Sequence, residues 1–589
     1  MVSEQVVLIT GASRGFGAAA ARLIASRENT VIATMRDPGR DGPAVVAGFE
    51  ERIHPVPLDV TDADAVQKTV AGVLERFGRV DVLINNAGYG LYGPVEDATE
   101  DEVWRQFDTN LFGQWRMAKA VLPAMRAAGR GKIVNVSSTA GRISGPLLGM
   151  YAASKHAVEA MSESLRFEVG ALGVQVCILE PGMFRSDWQT TNLDVAGAVR
   201  DGTSPYAATV SRALGEFRAT ALTRPGSASV AAALADITEL DQRLPLRWPV
   251  GNDASHMLPL HRSSSDEEWQ ALRQSGVLGY WRKQMYTPDE LAAFGEPEPW
   301  SWTEDNVVLI TGASRGFGEA AAREIASRGN TVIATMRDPA RDAPKVVAGF
   351  EGRIHPVQVD VTDNATVESA VAETVRRFGR IDVLINNAGY GLYGAVEDFT
   401  EQEVRRQLDT NLLGQWRLCK AVLPHMRAQR RGKIVNVSSL SGQVASPLMA
   451  FYAGSKHAVE AMSEALAAEV VPWGLQVTIL QPGMYRSDWQ TTNLDVAAAF
   501  REGRSRYQQA VERSLTQFRE LARTRPGSDA VAAALGDIVQ LQQPLPMRWP
   551  IGDDCLRMIP LRRRTPDEEW ERLMRGYGWG FEPGEVSAR

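Results

Sequence analysis

Short apolar segments rich in Val and Ile alternate with longer helical patterns along the first half of the chain. Continuous apolar strands between helices predict a parallel sheet covered on both faces, as in a doubly wound Rossmann-type α/β domain. The predicted strands are Val6–Ile9, Thr30–Ala33, Ile53–Leu58, Val80–Ile84, Lys132–Val136 and Val174–Leu179. The predicted helices are Gly17–Arg27, Ala63–Phe77, Glu100–Ala128 and Tyr151–Ala171.

The whole pattern occurs twice. The eight residues from Thr10 to Gly17 recur unchanged from Thr311 to Gly318, and the correspondence continues without a gap to about Trp269 and Trp570. A period this long indicates a duplicated domain and not a solenoid repeat. The chain has 589 residues, more than the ~250–300 that a single hydrophobic core holds. We therefore predict two tandem Rossmann-type domains.

The segment 282–303 has no counterpart in the repeat and is predicted to form the linker, because it contains several prolines. It is unusually aromatic, so we expect it to pack on a domain surface. The aromatic residues in and beside it are Trp281, Tyr286, Phe294, Trp300 and Trp302. The predicted division is a first domain over 1–281, the linker over 282–303 and a second domain over 304–589.

Composition narrows the possible classes of function. The net charge of −7 argues against a general nucleic-acid binder. The sequence has no apolar run of the ~20 residues that a membrane helix needs. The three cysteines, Cys177, Cys419 and Cys555, are not repeated between the halves, so no shared disulfide or metal framework is expected. The N-terminus runs directly into a strand, without room for a signal peptide, and we expect a cytoplasmic protein.

A glycine-rich loop joins the first predicted strand to an Ala-rich helix. Gly11, Gly15 and Gly17 in this loop allow a tight turn and let phosphates approach bare backbone. The helix N-terminus adds N–H donors and the positive end of a dipole. The spacing and position indicate a dinucleotide site, and the counterparts are Gly312, Gly316 and Gly318.

Three further motifs lie at strand ends. Asp59 follows the third strand, where a carboxylate could hold the adenine amino group, and the segment Asn85 to Gly88 closes the fourth strand. Pro181 and Gly182 follow the sixth strand. All three motifs recur in the second half, as Asp360, Asn386 to Gly389, and Pro482 with Gly483.

A candidate catalytic group lies in the same region. Tyr151 and Lys155 are four positions apart, on one helix face. Ser138 ends the fifth strand thirteen residues upstream, and Asn110 lies in the long helix before that strand. An isolated Tyr-x-x-x-Lys pair is usually a surface pair, but together with the glycine loop it indicates catalysis. The counterparts are Asn411, Ser439, Tyr452 and Lys456.

In their order and separations these motifs resemble those of the short-chain dehydrogenases/reductases, and each half resembles one complete member. The resemblance implies about seven parallel strands and hydride transfer between a nicotinamide and a carbonyl or alcohol carbon. It implies that Tyr151 is the acid/base and that Lys155 lowers its pKa and holds the nicotinamide ribose. It further implies that Ser138 polarises the substrate oxygen and that Asn110 supports a water relay.

The resemblance also implies a cofactor site in each half. In the first half the expected cofactor-binding residues are Gly11, Ser13, Arg14, Gly15, Phe16, Gly17, Arg36, Asp59, Val60, Asn86, Ala87, Gly88, Pro181, Gly182 and Ser186. In the second half they are Gly312, Ser314, Arg315, Gly316, Phe317, Gly318, Arg337, Asp360, Val361, Asn387, Ala388, Gly389, Pro482, Gly483 and Ser487.

The end of the second strand bears on the choice of cofactor. NAD-selective members of the family place an acid where this chain has Met35. Arg36 comes next and Arg14 lies in the glycine loop, and two guanidinium groups suit a 2′-phosphate. We therefore predict NADP(H) for both halves. NAD(H) is the alternative, with Asp37 binding the ribose.

The two copies differ most in the loop Thr139–Met150, which corresponds in sequence to Leu440–Phe451 of the second half. Because this loop borders the substrate in the family, the sites either accept different substrates or one is losing activity. We predict a small carbonyl or alcohol substrate, and a weaker similarity to ketosteroid and retinol reductases suggests a bulky apolar one.

The leading hypothesis is an NADP(H)-dependent carbonyl reductase or alcohol dehydrogenase with two active sites. A two-site oxidation–reduction epimerase and one active half with a structural half are alternatives. A non-enzymatic nicotinamide-binding scaffold is disfavoured, because neither copy has lost its Tyr or Lys. Family members usually dimerise through the helices that here span about 100–128 and 151–171. We expect the halves to form this pseudo-dimer within one chain, with further homo-oligomerisation left open.

Overall fold

The computed structural model of the chain contains two seven-stranded parallel β-sheets, one in each half. It describes residues 4–189, 191–275, 285–295, 302, 305–579, 581 and 585–586. The strands of the first half are β1 (Val6–Ile9), β2 (Thr30–Met35), β3 (Ile53–Pro57), β4 (Val82–Asn85), β5 (Gly90–Tyr92), β6 (Gly131–Val136), β7 (Val174–Pro181), β8 (Leu193–Val195) and β9 (Arg247–Val250). Those of the second half are β10 (Val307–Ile310), β11 (Thr331–Met336), β12 (Ile354–Gln358), β13 (Val383–Asn386), β14 (Gly391–Tyr393), β15 (Gly432–Val437), β16 (Leu475–Pro482), β17 (Leu494–Val496) and β18 (Arg548–Ile551).

The strand order is that of a doubly wound sheet. In the first half it is β3-β2-β1-β4-β6-β7-β9, and the second half repeats it as β12-β11-β10-β13-β15-β16-β18. Leu8 of β1 pairs with Ile32 of β2 on one side and with Leu83 of β4 on the other. The chain reverses its direction across the sheet between β1 and β4, where such folds bind their ligands. The predicted fold class is confirmed.

Helices cover both faces of each sheet. Those of the first half are α1 (Gly15–Ser26), α2 (Pro38–Val46), α3 (Ala63–Phe77), α4 (Glu100–Phe107), α5 (Gly113–Ala127), α6 (Gly149–Val169), α7 (Gly197–Arg200), α8 (Ala207–Leu222), α9 (Ala228–Glu239), α10 (Asn252–Ser263) and α11 (Asp266–Ser275). Helix α12 (Pro288–Phe294) follows. Those of the second half are α13 (Gly316–Ser327), α14 (Pro339–Val347), α15 (Asn364–Phe378), α16 (Glu401–Leu408), α17 (Gly414–Gln429), α18 (Ala450–Glu469), α19 (Ala498–Arg501), α20 (Gln508–Arg523), α21 (Asp529–Gln540), α22 (Asp553–Arg564) and α23 (Asp567–Gly576).

The central strands are apolar throughout because both of their faces are covered. Val7, Leu8 and Ile9 of β1 are fully buried. Leu8 joins the core on the α3, α5 and α6 side, and its neighbours Val7 and Ile9 join the core beneath α1 and α9. Successive side chains of the strand point to opposite faces of the sheet, so one strand contributes residues to two hydrophobic cores.

Two sequence-based predictions of elements need correction. The helix predicted over 100–128 is interrupted, because α4 and α5 are separated by a π-helical turn at Asp108–Phe112. The seventh strand, β9, was not located from the sequence pattern. It contains Arg247 and Pro249, so it lacks the apolar run that marks the other strands. It pairs with the end of β7 and completes one sheet edge.

The two halves pack against each other through the long helices α6 and α18. Small side chains allow the close approach, since Ala160, Ala445 and Ala453 form a buried cluster. A Cβ atom on Gly454 would lie 3.5 Å from the backbone oxygen of Ala157 in the opposite helix.

Ion pairs between the halves surround this contact in a symmetric arrangement. Arg126 pairs with Glu397 across the halves at 2.6 Å, and its counterpart Arg427 pairs with Glu96 at 2.6 Å.

The described part of the predicted linker contacts both halves, and on the first half Glu290 pairs with Arg212 at 2.9 Å. Phe294 packs edge-on against Trp473 at 5.3 Å between ring centroids, and Tyr286 donates a hydrogen bond to the backbone oxygen of Glu469 at 2.7 Å. Trp302 covers the Lys433 ammonium group at 4.0 Å. Trp281 and Trp300 lie outside the described residues.

The helices within the described part of the chain include none that combines the length and the apolar character needed to cross a membrane.

Candidate active sites

The glycine loop has a backbone conformation that residues with a side chain disfavour. Gly11 and Gly15 have positive φ angles of 65° and 55°, a region that side chains disfavour. A Cβ on Gly17 would lie 2.4 Å from the Gly11 carbonyl oxygen, and on Gly318 it would lie 2.3 Å from that of Gly312. The loop therefore presents bare backbone at the start of α1 and α13, which suits a pyrophosphate.

Asn86 ties the end of β4 to this loop. Its Nδ2 donates to the backbone oxygens of Thr10 at 2.9 Å and Gly11 at 3.0 Å. The Thr10 hydroxyl accepts the backbone N–H groups of Asn86 and Ala87, both at 3.0 Å. The segment that closes β4 thus holds the glycine loop in place. Asn387 makes the same contacts with Thr311 and Gly312.

The strand end that was predicted to select the cofactor carries an exposed arginine. Arg36 follows the buried Met35. Asp37 caps α2, since its Oδ1 accepts the backbone N–H of Arg40 at 3.0 Å. Arg40 holds the pKa of Asp41 below its ordinary value, and Arg14 and Arg36 add to the effect. Two further positive groups therefore share this corner of the site.

Asp59 is fixed at the end of β3. Its Oδ1 accepts the backbone N–H of Thr61 at 2.9 Å and the hydroxyl of Thr61 at 2.7 Å. The same turn occurs at Asp360 with Thr362. The local hydrogen bonds orient the carboxylate at the edge of the predicted cofactor site.

Tyr151 and Lys155 lie in the first two turns of α6, and both are buried. The Lys155 ammonium donates to the backbone oxygen of Val136 at 2.9 Å and lies 6.0 Å from the centre of the Tyr151 ring. Ser138, two residues after the end of β6, lies close enough to the Tyr151 phenol to lower its pKa. The second half repeats this arrangement: Lys456 donates to the Val437 backbone oxygen at 2.8 Å, and Ser439 lowers the pKa of Tyr452.

Asn110 lies in the π-helical turn between α4 and α5 and is fully buried. Its Nδ2 donates to the Tyr89 backbone oxygen at 3.1 Å and to the Ser154 hydroxyl at 3.0 Å, and its Oδ1 accepts the Tyr89 N–H at 3.1 Å. A Cβ on Gly88 would lie 3.1 Å from this Oδ1 and 3.6 Å from the Lys155 nitrogen. Asn110 and Lys155 therefore border the same small space beside Gly88.

Burial dominates the electrostatics of these groups. It raises the pKa of Tyr151 to about 12, against the lowering effect of the Ser138 hydrogen bond. It lowers the pKa of Lys155 to about 8, against the opposing charge of Glu159. Tyr452 and Lys456 have the same values, about 12 and about 8. Desolvation raises the pKa of both tyrosines, and the lowering of that pKa expected from the lysine is not among the causes of the shift.

A cavity of about 620 Å³ in the second half brings most of the predicted site residues together. This size is typical of small-molecule sites. The predicted residues that line it are Gly312, Ser314, Arg315, Gly316, Phe317, Arg337, Asp360, Val361, Asn387, Ala388, Gly389, Ser439, Tyr452, Lys456, Pro482, Gly483 and Ser487. Gly318 and Asn411 are not among the lining residues: Gly318 packs on the Gly312 carbonyl, and Asn411 holds the backbone of Tyr390.

Further residues at the sites were not singled out from the sequence as site residues. Asp253, at the start of α10, accepts the Met183 N–H at 2.8 Å and occupies the space beside Gly182, where a Cβ would lie 1.9 Å from its Oδ1. Asp554 has this role in the second half and lines the cavity. An acid far along the chain carries no sequence signal for this contact.

Aromatic side chains form a wall beside each of the two tyrosines that were predicted to be catalytic. Trp188 packs on the Tyr151 ring at 5.0 Å and on Phe217 at 5.9 Å between centroids. The Ser186 hydroxyl accepts the backbone N–H of Trp188 at 3.3 Å, and the loop after β7 therefore carries both this hydroxyl and the Trp188 indole. Trp489 and Phe518 are the counterparts and line the cavity of the second half.

Known proteins with similar sequences belong to the family that the motifs resemble. The short chain dehydrogenase family model matches residues 5–195 and again residues 306–496. A 3-ketodihydrosphingosine reductase of Bacteroides thetaiotaomicron is 39% identical over 249 residues, which cover 42% of this chain and 88% of the relative. The oxidoreductase BOA17 of Botryotinia fuckeliana is 38% identical over 272 residues, which cover 45% of this chain and 96% of the relative.

One solved structure resembles both halves together. The N-domain of a bacterial malonyl-CoA reductase is 18% identical, with a TM-score of 0.62, and the match covers 93% of this chain and 98% of that domain. At this identity the likeness concerns the fold alone. The two matches of the family model cover well over half of the chain. The chain therefore belongs to the short-chain dehydrogenase/reductase family, an NAD(P)-dependent enzyme family, as two tandem copies in one polypeptide.

Proposed function

We propose that the protein is an NADP(H)-dependent carbonyl reductase or alcohol dehydrogenase with one active site in each half of the chain. The observation that carries the proposal is the repeated group of tyrosine, lysine and serine beside a bare glycine loop, with Asn110 or Asn411 behind it. The predicted division into domains 1–281 and 304–589 remains part of this proposal.

The fit to a nicotinamide dinucleotide rests on this chain's own backbone. A Cβ on Gly15 or Gly316 would meet no atom within 4 Å, so the chain leaves open space at the start of α1 and α13, where helix N–H groups suit a pyrophosphate. Asp59 and Asp360 would face the adenine, and Lys155 and Lys456 the nicotinamide ribose. When bound, the nicotinamide supplies the hydride in reduction and accepts it in oxidation.

The residues of each half handle the proton and the substrate oxygen. In reduction, the Tyr151 phenol would give its proton to the alkoxide that develops on the substrate oxygen, which leaves a phenolate. The Ser138 hydroxyl donates a hydrogen bond to the same oxygen and stabilises its charge. The Lys155 ammonium stabilises the phenolate until the phenolate regains a proton from solvent through the water relay that Asn110 supports. Tyr452, Ser439, Lys456 and Asn411 take these roles in the second half.

The preference for NADP(H) rests on the corner formed by Arg14 and Arg36. Asp37 is engaged as the cap of α2, which opposes a role in binding ribose hydroxyls. Arg315 and Arg337 form the equivalent corner and line the cavity of the second half.

The substrate is proposed to be an apolar ketone or the corresponding alcohol. The aromatic wall of Trp188 and Phe217 supports an apolar substrate, and the Bacteroides relative is named a 3-ketodihydrosphingosine reductase. Leu440, Ser441 and Met449 line the second cavity. Their counterparts are Thr139, Ala140 and Leu148, so we propose different substrate preferences for the two halves.

The halves are proposed to act as an intramolecular pseudo-dimer. The contact of α6 with α18 and the reciprocal ion pairs of Arg126 and Arg427 support this arrangement.

A panel of apolar ketones and alcohols, assayed by absorbance of the reduced cofactor, tests the proposal. We expect turnover with kcat/KM for NADPH at least roughly tenfold above that for NADH. Changing both Arg36 and Arg337 to Ala should narrow this preference. Equal use of both cofactors by the parent protein would contradict the assignment of NADP(H), and no turnover or cofactor binding would contradict the function itself.

A further inference from the structure

A buried carboxylate from each half reaches into the other half. Glu469, the last residue of α18, is fully buried. Its Oε1 accepts the backbone N–H of Leu147 at 2.9 Å and its Oε2 accepts that of Val95 at 2.8 Å. Both acceptor contacts cross from the second half to the first.

The contact is reciprocal. Glu168, near the end of α6, is also buried. It accepts the N–H of Leu448 at 2.9 Å and that of Val396 at 2.8 Å, in the second half. The pair of contacts is thus conserved between the copies, although the loops that they hold differ in sequence.

The N–H groups held in this way belong to the loops that lead into the catalytic helices. Leu147 lies four residues before Tyr151 and has a φ of 67°, and Leu448 lies four residues before Tyr452 and has a φ of 65°. Residues with a side chain disfavour this left-handed region. The Leu147 carbonyl is also engaged, by the N–H of Gly93 at 2.8 Å. Such a turn needs external bonds to keep its conformation.

The same loops carry substrate-facing positions. Leu440 and Met449 line the second cavity on either side of Leu448 in sequence, and Ser439 begins the loop. A shift of the Leu448 turn would move Met449 and the first turn of α18, which contains Tyr452. Displacements of about 1 Å at a reacting group reduce rates by up to about 100-fold.

The backbone N–H groups of Leu147 and Val95 depend on the carboxylate of Glu469 as their hydrogen-bond acceptor. Burial raises its pKa to about 8, while the hydrogen bonds from Leu147 and Val95 favour the charged form, and Asp97 and Glu96 add negative charge nearby. Water does not reach the carboxylate, so its two backbone donors depend on it.

We propose that Glu469 is a positioning residue for the first active site and that Glu168 is a positioning residue for the second. Each catalytic tyrosine then depends on a carboxylate supplied by the opposite half. This inference rests on the proposed function, in which both sites turn over.

Glutamine substitutions in single-site backgrounds test the inference. With Tyr452→Phe, only the first site reports, and Glu469→Gln should lower its kcat about tenfold while Glu168→Gln leaves it within about twofold. With Tyr151→Phe the pattern should reverse. The KM for NADPH should stay unchanged, because Leu147 and Val95, whose N–H groups Glu469 accepts, do not belong to the glycine loop. Glu401→Gln is the matched control, since Glu401 pairs with Arg116 across the same interface and should affect neither site.

Amide hydrogen exchange gives a readout that does not require turnover. Glu469→Gln should speed exchange at Leu147 and Val95 and leave Leu448 and Val396 unchanged. Equal loss of activity in both backgrounds, or unchanged exchange at Leu147, would overturn the inference. A background without turnover would instead refute the two-site function, and the exchange measurement would still decide the contact.

Discussion

At the scale of residues, each site combines a phenol and an ammonium group whose ordinary pKa values are close together, and burial moves these two pKa values apart. Burial brings the pKa of Lys155 down to about 8 and that of Tyr151 up to about 12. At neutral pH the phenol therefore keeps its proton and the lysine its charge. This state suits carbonyl reduction, in which the phenol donates.

A pH profile follows from the lysine. As the pH rises through about 8, Lys155 and Lys456 lose the charge that stabilises the phenolate. We expect kcat/KM for carbonyl reduction, at saturating NADPH, to fall about tenfold per pH unit above this pKa. A profile that stays flat to pH 10 would contradict the role of the lysines.

The glycine loop permits a second prediction for single residues. Gly17→Ala places a methyl group 2.4 Å from the Gly11 oxygen, so the loop must shift. We expect NADPH affinity at the first site to weaken at least about tenfold, with the second site unchanged, by calorimetric titration. Gly72→Ala is the control, because Gly72 has open space around it. Unaltered binding by Gly17→Ala would show that the loop is not the cofactor site.

At the scale of elements, the strands and the first turns of the helices were predictable because burial on two faces leaves a strong apolar signal. The strand predicted at Val6–Ile9 has these bounds in the structure. The π-helical turn around Asn110 has no such signal, because its residues also suit a regular helix. The strand at Arg247–Val250 was missed because Arg247 and Pro249 interrupt its apolar pattern.

The loop after β7 depends on an element far away in sequence, namely the start of α10. The two carboxylate oxygens of Asp253 accept the backbone N–H groups of Met183 and Ala254. In Asp253→Asn the side-chain amide has only one acceptor oxygen, so one of these hydrogen bonds is lost. We expect the KM for NADPH at the first site to rise roughly tenfold, measured in a Tyr452→Phe background. The exposed Asp241→Asn serves as control. An unchanged KM would remove Asp253 from the site.

At the scale of the whole molecule, duplication was evident from sequence, but the contacts between copies were not. The 301-residue shift of Tyr151 to Tyr452 predicted two domains and two sites. Nothing in the sequence indicated that Glu469 would bond to Leu147 in the other half, because a lone glutamate at a helix end has no distinctive pattern. Such contacts depend on the relative placement of the two sheets.

The close packing of α6 on α18 gives a paired stability prediction. Gly454→Ala should raise the free energy of unfolding by up to about 1 kcal/mol, because alanine favours helices and its Cβ would meet Ala157 at ordinary contact distance. Gly454→Leu should lower it by about 1–3 kcal/mol through overpacking. Thermal denaturation of both variants checks the prediction. A stable leucine variant would argue against the close helix contact.

The most direct test of two complete active sites is turnover by the three tyrosine variants. Tyr151→Phe and Tyr452→Phe remove one phenolic proton donor each. We predict that each single variant keeps the activity of its intact site on that site's preferred substrate, and that the double variant loses at least about 99% of activity. Full activity in the double variant, or complete loss in either single variant, would contradict the account.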